Sequence, residues 1–417
     1  MNEQTTRRNY LRGATALGVA GIGSLSGCVG QLGGTDGSIP FGAILPVSVS
    51  GEIGTVGTHH AAAVEQAVKD VNRAGGIDGR EIAVDVRDSA ASSEQALTAY
   101  QELVDAGTLG FVGAVLSSAS VQLAERVADD RIVQMSPAST SPQLSEAGRA
   151  GELKFFGRTV SSDILQAYVM AKILNSTQYI GADTTAILHT DDAFGSGLAE
   201  EIESAFDGTV TASVGFDPNG DQYTDVISEA VADEPDGVAL VSLPGSATQS
   251  ILSQRQEADH DAQWVLSAGL IPAQPPGPFN GVYGGSLAST QTTGAAKLGL
   301  KLSQFDTLAS FTEQAYDALF VQALALERAE KRSSAAIARN LRAVSGGDGH
   351  TVTVGEFERA KKLLANGREV NYRGASGNLD LLATLEPVSE YLVQHVTDGS
   401  MTNVELLKRS YFTEVLE

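Results

Sequence analysis

A single cysteine, Cys28, occurs among 417 residues, which excludes an intramolecular disulfide. The six histidines form no metal-ligand pattern. His59 and His60 are neighbours on a predicted helix and point in different directions, and no HExxH or CxxC spacing occurs. Neither a metal nor any other cofactor is expected. A Gly-x-Ser-x-Gly elbow and a GxxxxGK[ST] loop are missing as well. With no nucleophile–base or metal constellation, a secreted hydrolase or amidase has little support, and the expectation is a protein that is not an enzyme. Positive charge is also scarce. There are 28 Lys and Arg against 51 Asp and Glu, for a net charge of −23, so nucleic acid and anionic membrane surfaces are poor partners.

The acidic residues are dispersed, as at Asp191, Asp192, Asp221, Asp225, Asp233 and Glu234. That pattern describes a solvated acidic surface rather than an acidic tail, and it suits high salt, where repulsion is screened. The first residues differ from the rest. Arg7 and Arg8 precede a run of small and apolar residues, Ala14 to Ser26, which falls short of the roughly 20 needed to span a membrane. Paired arginines before such a run read as a twin-arginine export signal. Cys28 follows Leu25-Ser26-Gly27 and resembles the lipidated cysteine of prokaryotic lipoproteins. Residues 1–27 are therefore expected to be a signal peptide, with Arg7 and Arg8 as the export signal and Cys28 as the lipid anchor. Residues 28–38 form a flexible tether.

From Ile39 onward strand and helix patterns alternate. Ile39–Leu45, Glu81–Val86, Gly110–Val115 and Ile132–Met135 read as strands. His59–Asn72, Ser93–Val104 and Ser120–Ala128 read as helices, the first ended by Gly75-Gly76. The rhythm recurs with strands Thr184–Leu188, Val210–Phe216, Val238–Ser242, Trp264–Ser267 and Val282–Ser286. Its helices are Ala193–Ala205, Tyr223–Ala232 and Ala247–Glu257. Such alternation predicts two parallel sheets covered on both faces, an α/β class. The helices Ser310–Arg328 and Ser334–Ala343 have no local strand to cover and are expected to return to the first lobe.

Several segments together resemble the type I solute-binding proteins of ABC importers, specifically the branched-chain amino acid receptor family. They are Phe41-Gly42-Ala43-Ile44-Leu45-Pro46 with Ser50-Gly51, and Ala67 to Arg80, the most specific stretch. Gly113 to Ser118, Ser136 to Pro142, and Asp191 to Ala199 complete the set. The resemblance covers nearly all of the chain after the leader and fits a haloarchaeal member. It implies two doubly wound lobes joined by a three-strand hinge, with the ligand between them. Lobe 1 is then expected at 39–158 and 284–371, and lobe 2 at 159–283 and 372–417.

Ser117 and Ser118 follow a predicted strand and open a helix, where hydroxyls and backbone N–H groups suit a carboxylate, although Ser118 also reads as a plain N-cap. The resemblance assigns Ala138, by its backbone carbonyl, and Thr140, by its hydroxyl, to a ligand ammonium group, with Ser139 between them also expected at the ligand; without it the segment reads as an ordinary Ser/Pro loop. Val56, Phe194 and Leu243 would give an apolar wall. Phe194 stands where the family usually has tyrosine. Ala268 lies near the family's acidic ammonium partner, so either another carboxylate substitutes, with Asp191 and Asp192 as candidates, or the ligand is not an amino acid. The expected function is a monomeric receptor, lipid-anchored on the extracytoplasmic face, that captures an aliphatic amino acid and delivers it to ABC permease subunits. The alternatives are a receptor for an amide, urea-like or carboxylate solute, or a surface sensor module. Cys28→Ser should release the protein into the medium or leave it unprocessed, as read by fractionation and blotting; normal processing with membrane retention would contradict the anchor.

Overall fold

The computed structural model describes residues 37–257, 260–288 and 292–416. Arg7, Arg8, Cys28 and most of the tether lie outside these described residues. The first lobe opens with β1 (Ile39–Leu45), α1 (Gly51–Arg73), β2 (Ile82–Asp88), α2 (Ser93–Asp105), β3 (Gly110–Gly113), α3 (Ser117–Asp130) and β4 (Val133–Ser136). A short hairpin, β5 (Arg149–Ala150) and β6 (Leu153–Lys154), leads into β7 (Phe156–Arg158). The strands β2-β1-β3-β4-β7 form a parallel sheet in that order. β1, β3 and β4 are buried along almost their whole length, as strands covered on both faces must be; β1 and β3 are near-continuous runs of apolar residues and glycine, while β4 buries Gln134 and Ser136 as well.

The second lobe runs α4 (Asp163–Asn175), β8 (Thr184–Thr190), α5 (Gly195–Ala205), β9 (Thr209–Phe216), α6 (Thr224–Ala230), β10 (Gly237–Val241), α7 (Ser246–Gln254), β11 (Gln263–Leu266) and β12 (Tyr283–Leu287). The chain then returns to the first lobe with α8 (Thr293–Lys301), α9 (Thr312–Glu327), α10 (Ser334–Ser345), β13 (His350–Val352), α11 (Phe357–Ala365) and β14 (Val370–Tyr372). It ends in the second lobe with β15 (Tyr391–Thr397), β16 (Ser400–Leu407) and α12 (Arg409–Leu416). The second sheet has the order β16-β15-β12-β11-β10-β8-β9, with β15 and β16 antiparallel at one edge. This is the doubly wound α/β architecture of the type I periplasmic-binding-protein fold. α9 is buried on nearly every side within the first core and packs with α1. No described helix is long and apolar enough to cross a membrane.

Two passages between the lobes come later in the chain than expected. β12 is a full member of the second sheet, so the chain leaves that lobe after Leu287 rather than at 284. Tyr372, Ala375, Leu379, Leu381 and Leu385 belong to the first core, and Val388 and Tyr391 to the second, so the third passage lies beyond Leu385 rather than at 372. The cause is Asp317 on α9. Its Oδ1 accepts from the Tyr372 hydroxyl (2.5 Å) and Ala375 N (2.8 Å), and its Oδ2 from Ser376 N (2.8 Å) and Oγ (2.6 Å), which holds this segment to the first lobe.

Helix α1 begins at Gly51, well before the predicted start at His59. Its first turns lie flat on the loop after β1. A Cβ on Gly54 would stand 1.7 Å from the Val49 carbonyl oxygen, and one on Gly57 would stand 2.3 Å from that of Pro46. The glycines that permit this contact also hide the helix from an apolar-periodicity reading. Gly54→Ala must push α1 off the loop and should cost about 1–3 kcal/mol; chemical denaturation in molar KCl measures it, and an unchanged midpoint would contradict the close packing.

Candidate functional site

Ligands of open α/β sheets bind beyond the carboxyl ends of the strands. Here the loop after β4 and the first turn of α5 meet across the lobes. A Cβ on Gly197 of α5 would stand 3.3 Å from Ser141 Oγ and 3.2 Å from Pro142 Cδ. In the first lobe Ser117 and Ser118 lie in the first turn of α3 and Ala138, Ser139 and Thr140 in the loop after β4; in the second lobe Phe194 precedes α5, half-buried against that lobe's own core. Leu243 and Ala268 sit half-buried just past the carboxyl ends of β10 and β11.

The loop after β4 is held from within. Ser136 Oγ donates to the Ala114 carbonyl (2.7 Å) and accepts from Ser139 N (2.9 Å). Ser139 is fully buried, with its hydroxyl 2.7 Å from Ser120 Oγ and bonded to the Ala114 and Val115 carbonyls. Its side chain is thus scaffold, and a ligand could meet only its backbone. Ser117 opens α3 and its hydroxyl accepts from Ser141 N (3.3 Å). The N-cap of α3 is Leu116, so Ser118 lies half-buried inside the first turn and is not the cap that its sequence suggested. Val56 differs from the expectation: it is 7% exposed and packed into the first core, so it offers little wall to a ligand.

The carboxylates proposed for the ammonium are also placed. Asp192 Oδ1 accepts from Phe194 N (2.9 Å) and Gly195 N (2.8 Å), so it caps α5, while Asp191 is exposed. Sequence reading missed a better one. Asp163, the first residue of α4, is 2% exposed, and its backbone N–H donates to the Thr140 carbonyl (2.9 Å). The nearby Thr140 hydroxyl favours the ionised form of its carboxyl group. Gln166 Nε2 donates to Asp163 Oδ1 (3.1 Å), and Gln166 Oε1 accepts from Ala268 N (2.8 Å). Asp163 is thereby linked both to the loop expected to bind the ammonium and to the position where the acidic partner was expected. Its Oδ2 is buried and has no partner among the described residues. Burial pushes its carboxyl up to about 7, against the opposing effects of the Thr140 hydroxyl and the Arg158 charge. In sequence, an aspartate after Ser162 reads only as a first-turn residue favoured by the helix dipole.

Arg158 was missed as well. It is fully buried and ion-paired with Glu386, with Nε at 2.8 Å and Nη2 at 2.5 Å from Oε2. Its Nη1 donates to the Ser139 (3.2 Å) and Ser141 (3.0 Å) carbonyls. Lys154 joins the same region, donating to the carbonyls of Leu144, Phe156 and Thr384, and burial lowers its ammonium to about 7. Phe311 at the start of α9 is half-buried with φ of 63°, a strained conformation for a bulky residue and one that clusters at ligand sites. Among the described residues no group of three or more His, Cys, Asp or Glu could hold a metal.

The geometry is that of two doubly wound α/β lobes whose candidate site residues follow the carboxyl ends of their strands. The family model for periplasmic binding proteins matches residues 38–366, and the chain belongs to that family. It is similar to the chemotactic signal transduction system substrate-binding protein BasB of Halobacterium salinarum, at 38% identity over 90% of this chain and 91% of that protein. Two solved structures share the fold. A leucine-binding protein from Thermotoga maritima superposes with a TM-score of 0.71 at 19% identity, covering 89% of this chain and 99% of the other. A solute-binding protein from R. palustris in complex with 4-hydroxybenzoate gives 0.69 at 15% identity, covering 91% and 100%. The chain is thus a substrate-binding protein of the periplasmic binding protein family.

Asp163 also sets a pH dependence. A carboxyl raised to about 7 in the folded state keeps a proton that the unfolded chain has lost above about 4, so its contribution to stability falls as pH rises from about 4 to about 7. Asp163→Asn removes that component. In the ligand-free protein the stability difference should shift in favour of Asp163→Asn across this window, as read by denaturation at several pH values; a pH-independent difference would contradict the raised carboxyl.

Proposed function

We propose that this protein is an extracytoplasmic, lipid-anchored receptor that encloses a small solute carrying a carboxylate, with an aliphatic α-amino acid as first choice. The observation that carries this reading is the unpartnered Asp163 Oδ2, buried beside Thr140. A buried carboxylate oxygen without a partner is costly, and a ligand ammonium would satisfy it. Ser117, Ser118 and the N-terminus of α3 suit the carboxylate at the other end of such a ligand. Phe194 and Leu243 supply apolar surface for an aliphatic side chain. The chemistry needs no bond breaking, which supports binding without turnover.

For the output, similarity to a chemotaxis substrate-binding protein over nine-tenths of the chain favours a membrane transducer as the docking partner. Delivery to ABC permease subunits is the second reading, supported by the fold shared with the leucine-binding protein. Deletion of the gene should abolish attraction to the ligand in the first case and uptake of the radiolabelled ligand in the second.

Calorimetry in molar KCl against leucine, isoleucine, valine and their keto-acid analogues tests the ligand class. The amino acids should bind and the keto acids should not. Asp163→Asn should weaken amino acid binding by about ten- to a hundredfold, the worth of a charge-assisted bond of about 1.5–3 kcal/mol. Keto acids binding as well as amino acids would contradict an ammonium site and favour a plain carboxylate, as in the R. palustris protein bound to 4-hydroxybenzoate.

A further inference from the structure

Arg158 bridges the loop that presents Thr140 and the first-lobe end of the hinge. On one side it belongs to the hinge. Its guanidinium holds Glu386, and its backbone N–H donates to the Leu385 carbonyl (2.9 Å). On the other side its Nη1 holds the carbonyls of Ser139 and Ser141, the two residues flanking Thr140. A planar guanidinium with several fixed donors can do both at once, which an ammonium on a flexible stem cannot.

The first and third passages between the lobes lie side by side and are tied at both ends. The first-lobe tie is Arg158 with Leu385 and Glu386. The second-lobe tie is Ser161 with Ser389, whose hydroxyl oxygens are 2.5 Å apart and where Ser389 N donates to Ser161 Oγ (3.0 Å). Thr159 is fixed to the first lobe, since its N–H donates to the Ser136 carbonyl (3.0 Å) and its hydroxyl to that of Gln314 (2.8 Å). Pro387 has a fixed φ. The freedom left in this ribbon is concentrated at Val160 and Val388.

We infer that Arg158 is a positioning residue that joins the ligand-facing loop around Thr140 to the hinge, so that seating a ligand and setting the angle between the lobes are one event. A ligand that engages Thr140 loads the Ser139 and Ser141 carbonyls, and the guanidinium passes that load to Glu386, at the first-lobe end of the ribbon that pivots at Val160 and Val388. A ligand shifts the lobe equilibrium only through such a difference in interaction between the open and closed states. The inference rests on the receptor reading above.

The test perturbs the hinge and reads the loop. Glu386→Gln removes the charge at the first-lobe end of the ribbon, and Arg158→Met/Glu386→Leu removes both charges together, which avoids stranding one of them in the interior. Amide hydrogen exchange is followed in peptides covering residues 137–145 and 237–241, the second being core strand β10. Calorimetry and small-angle scattering use L-isoleucine as the probe in molar KCl. Exchange of the loop peptide should rise about tenfold or more in both variants while β10 is unchanged. L-isoleucine affinity should fall about tenfold or more, with less contraction at saturation than in the unsubstituted protein. Loop exchange that stays unchanged in either folded variant, or that rises only in step with β10, would overturn the coupling. If the unsubstituted protein takes up no L-isoleucine, the amino acid reading fails, and the exchange arm still decides the coupling.

Discussion

The buried pair of Arg158 and Glu386 is the contact on which both the hinge and the binding loop depend. Arg158 ends the last strand of the first sheet, and Glu386 sits where the chain passes to the second lobe for the last time. Neither charge is tolerable alone in that interior, and loss of one partner of such a pair costs about 3–5 kcal/mol. The remaining donors of Arg158 are used on the Ser139 and Ser141 carbonyls and on Ser145 Oγ (2.9 Å), so its charge is satisfied on every side. One residue thereby fixes where the lobes join and how the loop after β4 presents Thr140.

Asp163 is the complement of that pair. It lies near Arg158 in a buried setting and is also held by Thr140 and Gln166, yet one of its oxygens has no partner among the described residues. Ser136, Ser139 and Ser120 are matched among themselves, while Ser141 Oγ and Gln134 Oε1 join Asp163 Oδ2 as buried atoms with no partner among the described residues. An unmatched oxygen within such a network is the kind of departure from local satisfaction that marks a binding site rather than a scaffold.

Much of the fold was legible in the residues because parallel strands buried on both faces read as apolar runs. β1 has the bounds read from sequence, and β8, β9 and β10 depart from theirs by a residue or two. Helix α4 left no periodic signal because it is buried on nearly all sides, and the hairpin β15–β16 shows only a mixed pattern on an exposed edge. For the site, the loops after strands were legible and the individual side chains were not. Ser139 is expected at the ligand from sequence, and its side chain is committed to the scaffold. Val56 looks like a cleft residue and belongs to the core. Asp163 does its work through a contact with Thr140 that depends on the chain turning between lobes, and no local pattern encodes that turn.

A crystal structure of the protein grown with L-isoleucine in molar salt tests the two-lobed receptor most directly. The ligand should lie between the lobes, with its carboxylate at Ser117 and Ser118, its ammonium within hydrogen-bond distance of Asp163 Oδ2 and Thr140, and its side chain against Phe194. A ligand held by one lobe alone, or a cleft left empty while the ligand binds elsewhere, would contradict it.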